Sequence, residues 1–523
     1  MSYPTRRLRA IVERGGVSAS YPYGDPPHMG ASLTSRELGS WQPAQGSADA
    51  DLLPDLPVLM ARSRDLFRNH GIAAGANQTL VDNVVGTGPR LSSTPDYLAL
   101  GKSKDWAEEW SNRVERLVWR PWANTTACDA AYSLTFGGMT QQVFRSALQN
   151  GEALALPLWI PDARSTFGTR IQVIESDRLG NPLGRVDTKH LRSGIEIDDY
   201  GRPLAYWIRK GHPGDAYIGY IADAMQWEQI SAETSWGRKR VIHVHEKERT
   251  GQSRGKPILA PVLQQFKMLD HYQRTELQAA IVNALVAMTI ETPLDSQTVA
   301  QMFGGDLEDP RFQAYLAAKN EYRVALKGGA VLPLFPGDKA QPFTPARPAS
   351  QYGAFVEVVL RHIGAALGLP YELLLKDFSK TNYSSARAAL LEAWRFFNGR
   401  RHWLTTYWCT PVYELVLEEA VNAGIIEAPG FYENRYAYSK CLWVGDGRGW
   451  IDPVKEAQAA KIRMDNNLST LERECAEQGL DWEEVLEQRA AEIARIRELG
   501  LPEAAPITLR PDQTENNDER QAA

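Results

Sequence analysis

His243 and His245 alternate along the apolar run Val241-Ile242-His243-Val244-His245, which has strand character. Period-2 alternation turns both rings to one side, as a pair of metal ligands would require. No HExxH motif and no third ligand lies nearby, so no metal site is expected. The cysteines Cys128, Cys409, Cys441 and Cys475 are far apart without CxxC spacing, which argues for free thiols rather than zinc or a disulfide framework. The run Gly251-Gln252-Ser253-Arg254-Gly255-Lys256-Pro257 is one residue short of a nucleotide phosphate loop and lacks the Ser or Thr that would hold Mg²⁺. Gly445-Asp446-Gly447-Arg448-Gly449 lacks the third spacing of a dinucleotide loop and reads as a connection between helices. There is no GxSxG elbow, and acidic pairs such as Asp198-Asp199 read as turns. No catalytic residue and no cofactor is expected.

What remains is charge. The polar loop Lys376-Asp377-Phe378-Ser379-Lys380-Thr381-Asn382 joins two helical stretches, and Arg387 and Arg395 follow on the second. Glu392 is an i,i+3 partner for Arg395, which favours a salt bridge within the helix or between subunits. On residue type alone the two lysines are either ordinary solvated loop charges or contacts for a polyanion.

The elements that position these residues follow from periodicity. Residues 15 to 50 are rich in Gly, Pro, Ser and Ala and predict a mobile arm, with ordered structure starting near Asp55. Helices are predicted over 57–70, with Gly71 as a C-cap candidate, and over 105–120, where Trp106 and Trp110 stack at i,i+4. Short alternating runs separated by turn signals make 151–248 β-rich. Helical spacing returns over 261–289, a mixed segment covers 292–348, and another helix spans 351–367 until Gly368 and Pro370 stop it. From residue 384, Ala386, Ala389, Leu390, Ala393, Trp394 and Phe397 form an apolar stripe for core or subunit packing. The C-terminal part is helical, with Asp452-Pro453 and Ser469 followed by Glu472 as start signals, and the last twenty or so residues are polar and predicted disordered. The expected fold class is α+β, predominantly helical.

The chain has 523 residues, enough for several domains, with 43% hydrophobic and 23% charged residues. Its net charge of −6 speaks against a broad DNA-gripping surface, because such surfaces neutralise phosphates with a basic excess. Any contact with nucleic acid is therefore local, or the surface lets DNA slide. The N-terminus has no signal-peptide core, and the most apolar run, Ala279 to Ile290, is broken by Asn283 and shorter than the ~20 residues a bilayer needs, so a soluble chain is expected. Fifteen tryptophans suit large obligate interfaces, though they fill cores equally well.

Four blocks, in order, carry a family resemblance. They are Ala61-Arg62-Ser63-Arg64-Asp65-Leu66-Phe67-Arg68-Asn69-His70-Gly71 continuing to Asp82-Asn83-Val84-Val85-Gly86-Thr87-Gly88; Ile242-His243-Val244-His245-Glu246 through Gly251-Gln252-Ser253-Arg254-Gly255 to Lys267-Met268-Leu269-Asp270; Asn382-Tyr383-Ser384-Ser385-Ala386-Arg387 to Arg400-Arg401; and Trp443-Val444-Gly445 through Asp452-Pro453 to Ser469-Thr470 and Asp481-Trp482. Together they span about residues 55 to 490, and over that length the chain resembles the lambda-type phage portal family.

The resemblance implies a non-enzymatic subunit of a ring, twelvefold in the virion, at one capsid vertex, through which double-stranded DNA is packaged and ejected. It implies a mobile N-terminal arm over 1–54, a wing over 55–255, stem helices over 256–291 and 349–369 around a clip over 292–348, and a tunnel loop over 370–383. The long helix and remaining wing would occupy 384–444, the crown 445–500, and a disordered tail 501–523. Implied partners are further copies of the chain, the terminase large subunit, head-completion or tail connector proteins, the major capsid or scaffold protein, and duplex DNA bound without sequence preference, with no membrane. Implied locations are the capsid vertex of the virion and the host cytoplasm during assembly. Lys376, Ser379, Lys380 and Asn382 would face the channel, and ring symmetry would repeat each lysine into a charged annulus. Arg387 and Arg395 would lie below the crown, at an interface or the channel. The competing readings are another structural virion protein, such as a capsid or baseplate subunit, and a phage DNA-processing enzyme.

Overall fold

A computed structural model of the chain describes residues 28–500, other than 34, 219–220, 286–287, 292–300, 302–303, 305–307, 322–338, 343–351, 380 and 448–452. The first 27 residues of the arm predicted over 1–54 and the tail over 501–523 therefore lie outside the described residues, as does most of the mixed segment 292–348. Regular structure begins before Asp55. A short helix, Ala48–Leu52, is capped by Ser47, and its buried Asp49 accepts hydrogen bonds from the Ser253 backbone N–H (2.8 Å) and hydroxyl (2.7 Å).

Helices α1 (Leu56–Asn69) and α2 (Gly71–Val84) follow with only His70 between them. His70 is extended and closes α1, so Gly71, expected to cap that helix, instead opens the next one. Strand β1 (Arg90–Ser93) precedes α3 (Lys104–Arg113), which Ser103 caps and which runs on through a π turn, Val114–Trp119, into Arg120–Ala123. Trp106 and Trp110 stack with centroids 5.8 Å apart, as their spacing predicts. Helix α4 (Phe136–Asn150) ends at Gly151 in the left-handed region.

The β-rich middle consists of β2 (Glu152–Trp159), β3 (Thr169–Ile174), β4 (Leu191–Arg192), β5 (Ile195–Ile197), β6 (Pro203–Arg209), β7 (Trp227–Ser231) and β8 (Ile242–His245). Two antiparallel sheets result, in the orders β3-β2-β8 and β4-β5-β6-β7. Strand β2 alternates faces. Ala153 and Ala155 join the main core, whereas Leu154 and Leu156 join a second core with Ile195, Tyr206, Ile208 and Ile230.

Helix α5 (Leu263–Leu285) is shorter than the predicted 261–289, because Met288–Glu291 forms β9. After α6 (Pro310–Glu321), β9 finds its antiparallel partner in β10 (Lys339–Pro342). Helix α7 (Tyr352–Leu367) is followed by α8 (Tyr371–Leu375) and α9 (Tyr383–Leu404). A π turn over Thr405–Cys409 continues α9 into α10 (Thr410–Asn422). Strand β11 (Cys441–Val444) pairs with β1, and α11 (Pro453–Asp465), α12 (Leu471–Glu477) and α13 (Trp482–Glu498) end the described chain. The cap of α12 is Thr470, whose hydroxyl accepts from Arg473 N–H, one residue beyond the predicted Ser469.

Many tryptophans fill the core. Trp119, Trp122, Phe136, Trp408, Tyr413 and Trp443 form a continuous aromatic cluster. Their polar tips are satisfied: Trp122 Nε1 donates to Thr169 O (2.8 Å) and Trp408 Nε1 to Thr140 Oγ1 (3.0 Å). No helix among the described residues is long and apolar enough to cross a membrane.

Candidate functional site

The cation-bearing segment is built on a tight turn. Gly368 has φ +67°, and a Cβ there would meet the Phe396 ring at 2.8 Å, so only glycine lets the end of α7 lie against α9. Buried Leu369 and Leu374 anchor the connection, and α8 stops at Lys376, whose backbone N–H donates to Glu372 O. Lys376 is itself left-handed (φ 56°, ψ 35°), a conformation costing a lysine roughly 1 kcal/mol or more. Its side chain is exposed. The turn beyond it is closed by Ser379 N–H donating to Asp377 Oδ1 (3.0 Å) and Thr381 Oγ1 donating to Phe378 O (3.0 Å). Lys380 lies outside the described residues.

Asn382 caps α9: its Oδ1 accepts from Ser385 N (2.8 Å) and Ser385 Oγ (2.7 Å). The carboxamide oxygen is thus committed to the helix, a role any N-cap asparagine fills. Along α9, Arg387 is exposed, and Arg395 meets Glu392 at 3.3 Å with side chains 82% and 76% exposed. That is the predicted i,i+3 pair, and at such exposure it contributes no more than about 1 kcal/mol. Among the described residues neither Lys376 nor Arg387 has an ion pair. Of the predicted apolar stripe, Ala393 and Phe397 are fully buried, and Trp394 packs against the main core.

The charges in the β-rich middle behave in the opposite way, and no short-range pattern pointed to them. Glu152, at the start of β2, is fully buried. Both its oxygens accept from Arg254 Nε (2.8 Å each), and Oε2 also meets His243 Nε2 at 2.9 Å. Burial pushes the Glu152 carboxyl up, but Arg254 and His243 outweigh it and hold the group below the ordinary carboxylate range. His243 and His245 do share a face, as their alternation predicts, and stack with centroids 4.2 Å apart. Burial, then the charge of His243, holds His245 well below the ordinary histidine value. The run Gly251–Pro257 therefore supplies a buried arginine to a carboxylate. Gly151 (φ +88°) permits the approach, since a Cβ there would lie 2.5 Å from the Gly255 backbone.

Other blocks read from the sequence also meet in space. Arg64 Nε donates to Asn150 Oδ1 (2.6 Å) and its guanidinium pairs with Asp177. Asp446, from the second glycine-rich run, accepts the Thr87 N–H (2.6 Å) and hydroxyl (2.7 Å). It fits there because Gly86 has no Cβ. Glu418, 2% exposed, gathers Arg238 (2.9 Å) and Arg435 (2.7 Å). Glu175, Asp177 and His212 come within metal-ligand distance of one another, but Arg64 already supplies a cation to Asp177.

Comparison with known proteins adds a further finding. The profile of the family described as phage portal protein, lambda family, matches residues 34–401. Portal protein B of Escherichia phage lambda is 35% identical over 91% of this chain and 90% of its own length. The portal protein of Escherichia phage N15 is 34% identical over 94% of this chain and 95% of its own. Among solved structures, the neck of an empty gene-transfer-agent particle aligns over 90% of this chain and 100% of its own at 13% identity and a TM-score of 0.44.

Proposed function

The chain belongs to the lambda family of phage portal proteins, and from that premise we propose that it forms a ring at one capsid vertex through which duplex DNA enters and leaves. The observation that carries this reading is identity at about one residue in three along nine tenths or more of both relatives. The subunit hydrolyses nothing in this reading. It supplies a conduit and docking surfaces for the packaging motor and later for head-completion or tail proteins, with 292–348 as the clip.

Within the ring, the segment from Lys376 through Ser379, Lys380 and Asn382 to Arg387 lines the channel. Three features support it. Lys376 and Arg387 are exposed cations that no acid neutralises among the described residues, the long helix α9 carries Arg387 and follows the Lys376 loop, and the chain as a whole is acidic. A few cations per subunit, multiplied by rotation, make an annulus that phosphates meet weakly and without sequence preference. The net negative charge elsewhere limits sticking. Ser379 and Asn382 shape the loop and start the helix, and so act by positioning the lysines.

Negative-stain images of the purified chain should show rings with a central hole near duplex width; particles without a hole argue for another virion component. In a packaging assay, Lys376→Ala with Lys380→Ala should lower packaging or DNA retention while rings still assemble. Unchanged packaging and retention remove the loop from the DNA path.

A further inference from the structure

Away from the basic segment, a cleft of about 1320 Å³ lies between the C-terminal helices α12 and α13 and the body. Its body wall is β1, α3 and the π turn after α3, together with β11 and the end of α9, where Arg401 and His402 also line it. Opposite charges tie the two sides together at the rim. Arg116 Nη2 reaches both oxygens of Glu487 (2.9 and 3.0 Å), and Arg120 reaches Glu484 at 2.5 Å. These side chains are 43–65% exposed, so each pair is a weak tie. Arg90 on β1 donates to the Gly479 carbonyl.

Between the ties, like charges face one another. Glu115, half-buried in the π turn, accepts the N–H of Ser93 at 2.7 Å through Oε1. Ser93 ends β1 opposite Cys441, the first residue of β11, which is the strand leading into the C-terminal layer. From that layer Asp481 and Glu483 act on Glu115 across the joint, and Glu108 on α3 and Glu487 add to the negative field on Glu483. Arg120 is the cation that opposes them at Glu115. From α10, Tyr413 is buried and keeps its proton, with its hydroxyl 3.4 Å from Ser93 Oγ. On β11, burial pushes the Cys441 thiol up to about 12, so it stays neutral as well. Burial first, then Asp481 and Glu483, push the Glu115 carboxyl up to about 7, against the Ser93 hydrogen bond and Arg120.

We propose that this joint is a proton-operated latch: protonated Glu115 lets the C-terminal helical layer close onto β1 and the π turn, and ionised Glu115 lets the layer lift on β11. Closing takes up a proton, because the carboxyl holds it more tightly in the closed joint than in water. The advantage of the closed state is complete below the ordinary glutamate value of 4.5, shrinks by up to about tenfold per pH unit as pH rises towards about 7, and is constant above that. The rim pairs keep the layer near the body when it lifts, so opening is local rather than global. The latch goes beyond the portal reading and does not rest on it, so the two can fail separately.

Hydrogen–deuterium exchange of the full chain as assembled tests the latch. Rates for peptides covering 88–95 and 471–498 are followed from pH 5 to pH 8 and corrected for the intrinsic pH dependence of exchange. Opening should rise by up to about tenfold per pH unit to near pH 7 and then level off, while peptides from α4 stay unchanged. Glu115→Gln should flatten the profile at the protected level, and Glu483→Gln should move the midpoint to lower pH. Corrected rates that do not vary with pH overturn the latch, as do variants that keep the wild-type profile. Should Glu115→Gln fail to fold, Glu483→Gln decides alone, and an unmoved midpoint overturns it.

Discussion

Glu152 in the β-rich middle and Glu115 at the C-terminal joint are both glutamates withdrawn from water, and their surroundings drive them in opposite directions. Glu152 is the more deeply buried, yet it stays ionised because Arg254 and His243 converge on it. Glu115 keeps more contact with water, yet it is pushed up to about 7, because burial raises it, Asp481 and Glu483 add to the rise, and the Ser93 hydrogen bond and Arg120 do not outweigh them. Burial pushes both acids up, and the sign of the charges facing each decides whether that push is overcome. The same contrast separates a closed, fully paired interior from a surface that moves. A third region, from Lys376 to Arg387, sits at the far end of that scale, with these two cations exposed and without an ion pair among the described residues.

The strongest way to break the comparison is to remove the cation from the Glu152 site. Arg254→Ala leaves a buried carboxylate with His243 and the Gly255 N–H beside it and should cost about 3–5 kcal/mol in denaturant melts. Glu152→Leu combined with Arg254→Met should cost less than the single change, since the pair need not be charged to fill the space. A double variant as unstable as Arg254→Ala would show that the charges themselves specify the packing.

pH offers the next test. Glu152 is held below its ordinary value, so its contribution is complete above about pH 4.5 and is lost as pH falls through its lower folded value. His245 is also depressed, so its contribution is complete above 6.5 and is lost on acidification below that. Glu115 has the opposite sign. Thermal melts taken from pH 7.5 to pH 4.5 should show the β-rich core weakening over the interval in which the C-terminal joint tightens.

Smaller effects sharpen the view of the basic segment. Asn382→Ala should lower stability by about 1 kcal/mol through loss of the α9 cap, and Asn382→Ser should restore most of it. At Lys376, glycine relieves the left-handed backbone while removing the charge. Lys376→Gly should therefore leave the melting temperature equal or raised, and any fall in DNA retention would then be due to charge alone. Glu392→Gln should change stability by less than about 0.5 kcal/mol, because the pair it breaks is exposed.

Much of the fold was legible in the residues, and most of the site's tertiary partners were not. Periodicity located α1, the β-rich middle, α7 and the long helix from Tyr383, because a buried face repeats every 3.6 or 2 residues within one stretch of chain. The i,i+3 pair Glu392–Arg395 and the stacked Trp106 and Trp110 were visible for the same local reason. Caps were less secure: Gly71 opens a helix and Thr470 displaces Ser469, since neighbouring residues compete for one cap and packing chooses between them. The order of four blocks was enough to point to the family, and with it the expectation of a cation-bearing loop near residue 376.

Tertiary structure alone decided which charges are tied across long stretches of chain. Glu152 and Arg254 are 102 residues apart, Thr87 and Asp446 are 359 apart, and Arg116 and Glu487 are 371 apart. No short-range pattern joins residues at such distances. A glutamate's state depends on the field and the solvent around it, and both are set only when distant elements pack. Hence the sequence could nominate Lys376 and its loop, while the opposite fates of Glu152 and Glu115 emerged only from the folded chain.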